Sequence, residues 1–474
     1  MAILFCTSEM YPYAKSGGLG DVAQSLPQAL RKETKVYTLL PLYSTIDRDK
    51  FNIEDTKLTF QYELNGVKHQ FDIFVNKNNK QELFIYNPVL CDRDGLYRDG
   101  YGDFGDNGLR FGMFSYACIE TMIRMKLDIE AIHLNDWQTS LIALLAKTKY
   151  NLKQKIILTI HNLAYQGVFP KGMMDELNLD WKECFKPDIL EYHDQVNFLK
   201  SGIYYSDKIT TVSPTYAQEI QTPLFGNDLD DVLRKNSYKL QGILNGVSYE
   251  TFNPKHDDMV YKNFSHSDYE DKKTNKKKLL KEVGFVEVDK PLFVFIGRFT
   301  RQKGIELLIE SFNLIKDFDA NVIVLGSGED HYNTIFNNIS VSYPNVYIKV
   351  GYDESFSRKL YAAADFLLMP SLFEPCGLNQ MICMKYGCLP IVAKTGGLKD
   401  SVIDFTDVDY DHLKGHIGIG ITYEEHNLFW FMHAIAKALS LYGNHKKFLK
   451  ISKHNMKVDN SWKHSAKHYL ELYR

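Results

Sequence analysis

Short apolar segments alternate with amphipathic segments along most of the chain. Residues 1–6 and 35–40 are apolar on both faces, as strands buried between two layers are. Between them, residues 21–31 carry apolar side chains at helical spacing. The same alternation predicts further strands in this half at 131–134, 155–160, 208–212 and 242–244, and a helix at 139–147. It indicates parallel sheets that are covered by helices on both faces.

The alternation is interrupted at residues 58–75. There, apolar and polar residues alternate one by one around an Asn65-Gly66 pair, and the apolar segment 82–88 follows. Asn-Gly is a favoured sequence for a two-residue hairpin turn. We therefore predict an antiparallel hairpin that is inserted into the first of two α/β halves.

The alternation of strands and helices begins again near residue 291. Predicted strands lie at 292–297, 321–325, 345–350, 365–369 and 389–393, and predicted helices at 305–315, 357–364, 377–386 and 427–441. The segment that ends the chain has the pattern of an amphipathic helix. These elements predict an α/β protein with two Rossmann-like, doubly wound domains.

Length and composition agree with this prediction. A chain of 474 residues is too long for one ordinary core and predicts two or three domains. Hydrophobic residues make up 45%, charged residues make up 24%, and the formal net charge is -3. Such a balance gives no general attraction to nucleic acid or to an anionic membrane. The basic segment at 271–282 is interpreted as a solvated helix face.

The cysteines and the N-terminal sequence indicate in which cellular compartment the protein is expected. The seven cysteines are odd in number and include no Cys-x-x-Cys pair, so neither a disulfide framework nor a zinc site is expected. The N-terminus has no basic lead before its short apolar run. No apolar run approaches the roughly 18–20 residues that span a bilayer. We expect a cytoplasmic protein with neither a membrane nor a nucleic-acid partner.

Polar and glycine-rich segments follow several predicted strands, where ligands bind in open parallel sheets. After the first strand, Lys15 precedes the glycine turn of "KSGGLGD", which opens a helix. The turn suits a phosphate or a sugar, and also a tight connection without a ligand. Asp136 follows a second strand, and His161 with Asn162 follows a third. A histidine at this place is as consistent with a structural role as with a functional one.

The second half offers two further groups. Arg298 and Lys303, in "FIGRFTRQKG", follow a strand and either bind one anion or remain solvated. Glu374 precedes Cys376-Gly377-Leu378 in "PSLFEPCGLNQ", where it is a ligand for sugar hydroxyls or a capping carboxylate. The chain has no Walker A motif and no complete GxGxxG dinucleotide motif with its acid. Together, the groups suit a donor with both hydroxyls and a diphosphate, a sugar nucleotide.

The motifs resemble those of the bacterial glycogen synthase and plant starch synthase family over essentially the whole chain. They are "KSGGLGDV", "HLNDWQTSL", "IHNLAYQGVF", "ILNGV", "GRFTRQKG", "PSLFEPCGLNQ", "KTGGLKDSV" and the terminal "SWKHSAKHYLELYR". One departure is Ser248, where the family usually has an aspartate. The resemblance implies a GT-B fold, with two Rossmann-like domains facing a deep interdomain cleft. It implies a first domain at 1–241 with the C-terminal helix 458–474, and a second domain at 242–457.

The resemblance further implies a retaining glycosyltransferase that uses no metal and no other cofactor. Such an enzyme transfers glucose from ADP-glucose to the non-reducing end of an α-1,4-glucan and releases ADP. Two points stay open: same-face attack or a covalent intermediate, and adenine or uracil as the base stacked on Tyr352. The oligomeric state, the primer length preference and allosteric control also stay open.

The functional residues of the family match positions in both halves. The resemblance implies that Arg298 and Lys303 neutralise the diphosphate and that Lys15 contacts a donor phosphate or the reacting sugar. It also implies that His161 lies against the reacting sugar carbon and that Glu374 binds the sugar near its 3-hydroxyl. The other implied substrate contacts are Gly17, Gly18, Asp21, Asp136, Asn162, Asn245, Tyr352 and the backbone N–H groups of Cys376, Gly377 and Leu378. Tyr97, Tyr101 and Phe104 are candidates for glucan contact or for ordinary loop packing.

Two other functions are weighed against this one. An epimerase or a glycan phosphorylase shares the fold, and a phosphorylase would contain bound pyridoxal phosphate. A catalytically silent glucan-binding protein is the second alternative, and any turnover of the donor would exclude it.

Overall fold

Two α/β units make up the described part of the chain, which comprises residues 1–100, 102–285, 289–315, 318–340, 342–408 and 417–474 of a computed structural model. The first unit contains residues 1–246 and 462–474, and the second contains residues 247–461. Each has a largely parallel sheet with helices packed against it, which confirms the predicted fold class. No helix within these ranges is both long and apolar enough to cross a membrane.

The chain leaves the first unit later than the sequence predicted. Leu240–Gly242 pairs with Lys208–Thr211 and is the last strand of the first sheet. Ile243 is buried in the same core, so the passage lies at 246–247 rather than at 241–242. The chain returns at 461–462, because the C-terminal helix begins at Trp462 rather than at residue 458.

The strands of the first unit form one large and one small sheet. In chain order they are β1 (Ala2–Cys6), β2 (Lys35–Pro41), β3 (Ile53–Leu64), β4 (Val67–Asn76), β5 (Glu82–Tyr86), β6 (Ala131–Asn135), β7 (Lys155–Ile160), β8 (Val168–Pro170), β9 (Glu191–Tyr192), β10 (Gln195–Asn197), β11 (Lys208–Thr211) and β12 (Leu240–Gly242). Among the described residues, nine of them form a sheet in the order β12-β11-β7-β6-β1-β2-β5-β4-β3, and β8-β10-β9 form the small sheet. The hairpin is confirmed: β3 and β4 turn at Asn65 and Gly66, which both have positive φ.

The helices of the first unit are α1 (Gly18–Leu30), α2 (Pro88–Cys91), α3 (Asn107–Arg124), α4 (Trp137–Thr148), α5 (Met173–Glu176), α6 (Trp181–Cys184), α7 (Phe198–Tyr205), α8 (Pro214–Glu219), α9 (Asp230–Lys235) and the C-terminal helix (Trp462–Tyr473). Helix α1 follows β1 and buries Val22, Ala23, Leu26 and Leu30. This spacing places the four side chains on one face, as the apolar pattern predicted.

The second unit contains a parallel sheet of seven strands within the described residues. They are β13 (Leu292–Phe299), β14 (Asn321–Gly328), β15 (Val346–Val350), β16 (Phe366–Met369), β17 (Leu389–Ala393), β18 (Val402–Asp404) and β19 (Gly418–Tyr423), in the order β15-β14-β13-β16-β17-β19-β18. The helices are α10 (Glu270–Glu282), α11 (Ile305–Ile315), α12 (Asp330–Ser340), α13 (Glu354–Ala363), α14 (Asn379–Lys385), α15 (Gly396–Ser401), α16 (Leu428–Gly443) and α17 (His445–Asn455). Short 3-10 turns lie at Ser237–Lys239 in the first unit and at Arg301–Lys303 here.

Each sheet reverses its strand order at one place. In the first sheet β1 lies between β2 and β6, and in the second β13 lies between β14 and β16. Loops that leave two such neighbouring strands go to opposite faces and open a crevice at the carboxyl ends, where ligands of doubly wound folds bind. The loops after β1 and β6, and those after β13 and β16, are therefore the places to look for a site.

The C-terminal helix is fixed in the first unit by packing and by a buried hydrogen bond. Trp462, Ala466 and Tyr469 belong to the core around β1. The Tyr473 hydroxyl lies 2.6 Å from Nδ1 of His133, whose Nε2 lies 2.7 Å from the Thr159 hydroxyl. Burial lowers the pKa of His133 to about 3, so the ring is neutral and both nitrogens have partners.

We expect Tyr473→Phe to lower the free energy of unfolding by about 1–3 kcal/mol, because it leaves a buried histidine nitrogen without a partner. Tyr238→Phe is the matched control, since Tyr238 is 81% exposed, and it should change stability by less than about 0.5 kcal/mol. Urea unfolding of both variants measures the difference. Equal stabilities would show that the hydroxyl does not hold the helix.

Candidate active site

The loop after β1, which carries Lys15, also contains a buried acid, Glu9, three residues beyond the end of the strand. Glu9 is 4% exposed, and Oε2 accepts the backbone N–H groups of Ser16 at 2.7 Å and of Gly17 at 3.0 Å. Its Oε1 accepts the Ser16 hydroxyl at 2.6 Å and the Tyr97 hydroxyl at 2.9 Å. The sequence prediction missed Glu9, since a single acid after a strand carries no motif.

Lys15 and the glycines lie on the outer side of this loop. The Lys15 ammonium pairs with Asp21 at 2.7 Å, and both side chains are partly exposed. The N–H of Gly17 is taken by Glu9, whereas the N–H of Gly18 meets no acceptor in the described part of the chain. Of these two glycines, only Gly18, the first residue of helix α1, therefore has a backbone N–H that could donate to a ligand.

Asp136 holds the next loop in a similar way. It follows β6, has a positive φ of 54°, and is buried. Its Oδ1 accepts the N–H of His161 at 2.7 Å, and the N–H of Asn162 also binds this carboxylate. Burial, opposed by these hydrogen bonds and assisted by the charge of Glu9, raises the pKa of Asp136 to about 7. The loop after β7 is therefore fixed by the end of β6.

His161 is a neutral hydrogen-bonding group in a defined tautomer. The amide nitrogen of Asn135 donates to the Cys6 carbonyl at 2.9 Å, so its amide oxygen faces Nε2 of His161 at 3.0 Å. Nε2 must then carry the hydrogen, which leaves Nδ1 as an acceptor without a partner among the described residues. Burial lowers the pKa of His161 to about 3. The ring can accept a hydroxyl hydrogen at neutral pH, and it carries no charge.

Asn245 brings another polar atom to the carboxyl end of the first sheet. It follows β12, is 6% exposed, and its Oδ1 has no hydrogen-bond partner within the described ranges. A buried acceptor without a donor is costly, so such an atom indicates a place for a ligand or a water. The neighbouring Ser248, where the family usually has aspartate, bonds to the Thr251 hydroxyl at 3.3 Å.

In the second unit, the side chains of Lys303 and Glu374 form an ion pair. The Lys303 ammonium lies 2.5 Å from Oε2 of Glu374, and the Ser371 hydroxyl donates to the same oxygen at 3.1 Å. Oε1 of Glu374 has no partner in the described part of the chain, although the residue is 5% exposed. One carboxylate oxygen is therefore anchored, and the other is open to a ligand.

Arg298 is placed differently from Lys303. It lies near the end of β13, is exposed, and its guanidinium makes no hydrogen bond or ion pair with the described residues. Gly304, next to Lys303, has a φ of 68°, and a Cβ there would lie 1.6 Å from the Pro370 carbonyl oxygen. This close approach brings the loop after β13 against the loop after β16, and it explains the glycine in "RQKG".

The segment 376–378 is a turn before a helix rather than its first turn. Helix α14 begins at Asn379, not at residue 377, because Gly377 has a φ of 71°. The N–H groups of Gly377 and Leu378 find no acceptor among the described residues, while Cys376 is buried. Two of the three predicted N–H groups are thus open.

The glycines of the "KTGGL" motif pack against the backbone of residues 374–376, next to this turn. The sequence alone assigned this motif no separate role. The N–H of Gly397 donates to the carbonyl of Glu374 at 3.0 Å. A Cβ on Gly396 would lie 2.0 Å from that same oxygen, and a Cβ on Gly397 would lie 2.2 Å from the Cys376 carbonyl. Only a bare backbone fits against residues 374–376.

The aromatic candidates divide into two kinds. Tyr352 follows β15 and is 82% exposed, with its hydroxyl 3.4 Å from Glu354. Tyr97 is instead tied to Glu9, and the Phe104 ring lies between the guanidinium groups of Arg93 and Arg110. The packing interpretation holds for these two residues, and Tyr101 lies outside the described residues.

Known proteins match the chain along its whole length. Residues 2–235 match the family model described as starch synthase catalytic domain, and residues 276–448 match the model described as glycosyl transferases group 1. The full chain is 43% identical to a glycogen synthase of Aquifex aeolicus (strain VF5) and covers 98% of that protein. The chain belongs to the glycogen and starch synthase family.

Other members of the family agree. The chain is 39% identical to a glycogen synthase of Thermodesulfovibrio yellowstonii and covers 97% of it. The structure of the catalytic domain of starch synthase IV from Arabidopsis thaliana, bound to ADP and acarbose, matches with a TM-score of 0.91. That match has 32% identity and covers 100% of this chain and 98% of the other. Family membership confirms a retaining glycosyltransferase with the two Rossmann-like units of the GT-B fold.

Within this synthase family member, the predicted site residues lie at the carboxyl ends of the two parallel sheets. Lys15, Gly18, Asp136 and His161 follow β1, β6 and β7, Arg298 lies near the end of β13, and Lys303 and Glu374 follow β13 and β16. In the described ranges, no group of three or more His, Cys, Asp or Glu side chains is arranged to hold a metal ion.

We expect Gly304→Ala to destabilise the second unit by roughly 3 kcal/mol or more, because the added Cβ collides with the Pro370 carbonyl. Gly284→Ala is the control: its φ is also positive, at 84°, but a Cβ there meets nothing within 4 Å. It should cost only about 1–2 kcal/mol of backbone strain. Denaturant unfolding compares the two, and equal losses would contradict the collision.

The pKa of Asp136 predicts a pH-dependent stability. Since it is raised from 3.8 to about 7, the stabilisation by Asp136 is fully present below its ordinary pKa and is lost as the pH rises through 7. Asp136→Asn keeps an acceptor for the loop but does not ionise. We expect its unfolding free energy, relative to wild type, to rise by on the order of 2 kcal/mol between pH 5 and pH 8.

Urea unfolding across this pH range measures the effect of Asp136→Asn. The control is Asp128→Asn, at an exposed aspartate, which should show no such rise. A flat difference for both variants would mean that Asp136 ionises as freely in the folded protein as in the unfolded one.

Proposed function

We propose that the protein transfers glucose from ADP-glucose to the non-reducing end of an α-1,4-glucan, with retention of configuration and release of ADP. The observation that carries this proposal is the set of groups at the carboxyl ends of β13 and β16, which comprises two cations, an open carboxylate oxygen and two open backbone N–H groups. Such a group can bind a diphosphate and the hydroxyls of its sugar together.

Departure of the diphosphate is the step that needs electrostatic help. As the bond between glucose C1 and the phosphate oxygen breaks, negative charge grows on the diphosphate and positive charge on the sugar ring. Arg298 and Lys303 stabilise the leaving diphosphate, and Lys15 adds a third positive charge. These three side chains supply positive charge of the kind that metal ions supply elsewhere, so we propose that the reaction needs no metal.

Neutral and anchored groups orient the sugar. Oε1 of Glu374 accepts a sugar hydroxyl while its Oε2 stays on Lys303 and Ser371. Nδ1 of His161 accepts a second hydroxyl, since burial keeps the ring uncharged. Asp136 holds the His161 loop by its backbone, and Asn162, Asn245, Asp21 and the backbone at 376 complete the proposed substrate contacts.

The nucleotide base is proposed to stack on Tyr352. Tyr352 is 82% exposed, and an aromatic ring at the protein surface can stack on a planar base. The starch synthase IV structure with a TM-score of 0.91 is a complex with ADP, which favours adenine over uracil here. We further propose a cytoplasmic location, which seven free cysteines among the described residues favour.

The first test is release of nucleoside diphosphate with glycogen as acceptor, comparing ADP-glucose with UDP-glucose. We expect release of ADP that depends on glycogen and is unaffected by EDTA. A preference for UDP-glucose would overturn the donor, and inhibition by EDTA would overturn the metal-free mechanism. Release from neither donor would overturn the proposed function in favour of a silent binding protein.

The second test asks whether the positive charge of Arg298 stabilises the leaving diphosphate. We expect Arg298→Ala to lower kcat by about 100-fold, since it removes one charge that stabilises the leaving diphosphate. Arg301→Ala is the matched control, because Arg301 lies in the same loop with 78% of its side chain exposed. It should stay within about twofold of wild type. If the two variants have equal kcat, Arg298 has no role in departure of the diphosphate.

A further inference from the structure

Glu9 has a hydrogen-bonding pattern that excludes direct contact with a ligand. A carboxylate has about four lone-pair positions, and four donors occupy them: the Ser16 and Gly17 N–H groups and the Ser16 and Tyr97 hydroxyls. No lysine or arginine among the described residues forms an ion pair with it. A buried anion without a counter-ion is costly unless hydrogen bonds satisfy it. The four hydrogen bonds are therefore needed together to keep the Glu9 carboxylate buried.

The loop that these bonds hold is the one that bears Lys15. Ser16 and Gly17 turn their N–H groups inward to Glu9, whereas the N–H of Gly18, the next residue, has no acceptor among the described residues. The stem of Lys15 lies on the same turn, since a Cβ on Gly20 would come within 3.1 Å of it. The position of Glu9 therefore determines the positions of Lys15 and of the Gly18 N–H together.

We propose that Glu9 is a positioning residue for the reaction, which acts through the backbone of Ser16 and Gly17 to hold Lys15 and the Gly18 N–H ready for the donor. The proposal rests on the proposed function for its kinetic test. Glu9 itself contributes acceptors rather than charge, because both of its oxygens are used inside the protein.

Substitutions of Glu9 that differ in length and charge can distinguish a positioning role from a need for negative charge. Glu9→Gln keeps the length: its amide oxygen can accept the two N–H groups, and its NH₂ group can face the two hydroxyls, which can also accept. Glu9→Asp keeps the charge but is one methylene shorter, so it cannot reach all four donors. Glu9→Ala removes every acceptor. Positioning predicts the order Gln above Asp and Ala, whereas a need for charge predicts Asp above Gln.

Release of ADP from ADP-glucose with glycogen gives the kinetic result. We expect kcat/KM of Glu9→Gln within about threefold of wild type, and kcat/KM of Glu9→Asp and Glu9→Ala at least about tenfold lower. In a Lys15→Ala background, Glu9→Ala should cost less than it does in wild type, since one of the two groups that it positions is gone. An active Asp variant beside an inactive Gln variant, or full additivity with Lys15→Ala, would overturn the proposal.

Hydrogen exchange provides a readout that needs no substrate. The amides of Ser16 and Gly17 should be protected in wild type and in Glu9→Gln, and should exchange about tenfold faster or more in Glu9→Ala. Rapid exchange in wild type would overturn the proposal even if activity is normal. If wild type releases no ADP, the proposed function fails, while these rates still decide the role of Glu9.

Ser16→Ala covers the case in which the Glu9 variants do not fold. Because Ser16 is exposed, the substitution should not disturb the hydrophobic core. It removes one of the four hydrogen bonds to Glu9, the one from the Ser16 hydroxyl. We expect a two- to fivefold loss in kcat/KM with unchanged thermal unfolding, and unchanged kcat/KM would count against the proposal.

Discussion

Backbone N–H groups held by buried oxygens determine the shape of the proposed site. At the ends of β1 and β6, the carboxylates of Glu9 and Asp136 each accept successive N–H groups of a loop that carries a functional side chain. In the second unit, the carbonyl of Glu374 accepts the N–H of Gly397. Loops are usually the mobile part of a doubly wound fold, and these bonds fix them to the sheet.

The same bonds decide which polar groups stay open. Once the internal donors are used, several groups near the carboxyl ends of these strands remain without partners among the described residues. They include the Arg298 guanidinium, Oε1 of Glu374, Nδ1 of His161, Oδ1 of Asn245 and the N–H groups of Gly18, Gly377 and Leu378. They are cations, acceptors for hydroxyls, and donors for anions. A nucleoside diphosphate sugar offers a complement to each of these three kinds.

The sequence predicts the framework because its signals are periodic or local. Apolar alternation located the strands at both switch points, and Asn65-Gly66 located the hairpin. The strand pattern also predicted that Lys15, Arg298 and Glu374 lie at or beyond the carboxyl ends of strands, although Arg298 is still part of β13. A helix start was misplaced at residue 377, because the positive φ of Gly377 depends on a turn that the apolar pattern does not register.

The supporting residues could not be predicted in this way, because their role depends on contacts between distant parts of the chain. Glu9 needs Tyr97, which lies 88 positions away, and the bare backbone of Gly397 matters only against Cys376. Tyr97 is of a residue type that can stack on a glucan, but its hydroxyl donates to Glu9 inside the protein. A residue type indicates what a side chain can do, whereas its partners decide what it does.

A crystal structure with ADP bound tests the central claim, that the loops are fixed before the ligand arrives, most directly. The account predicts that Arg298 and Lys303 lie within about 3 Å of diphosphate oxygens. It also predicts that the hydrogen bonds from Ser16 and Gly17 to Glu9, and from His161 to Asp136, stay as they are here. A diphosphate bound away from Arg298, or loops that exchange these bonds on binding, would contradict it.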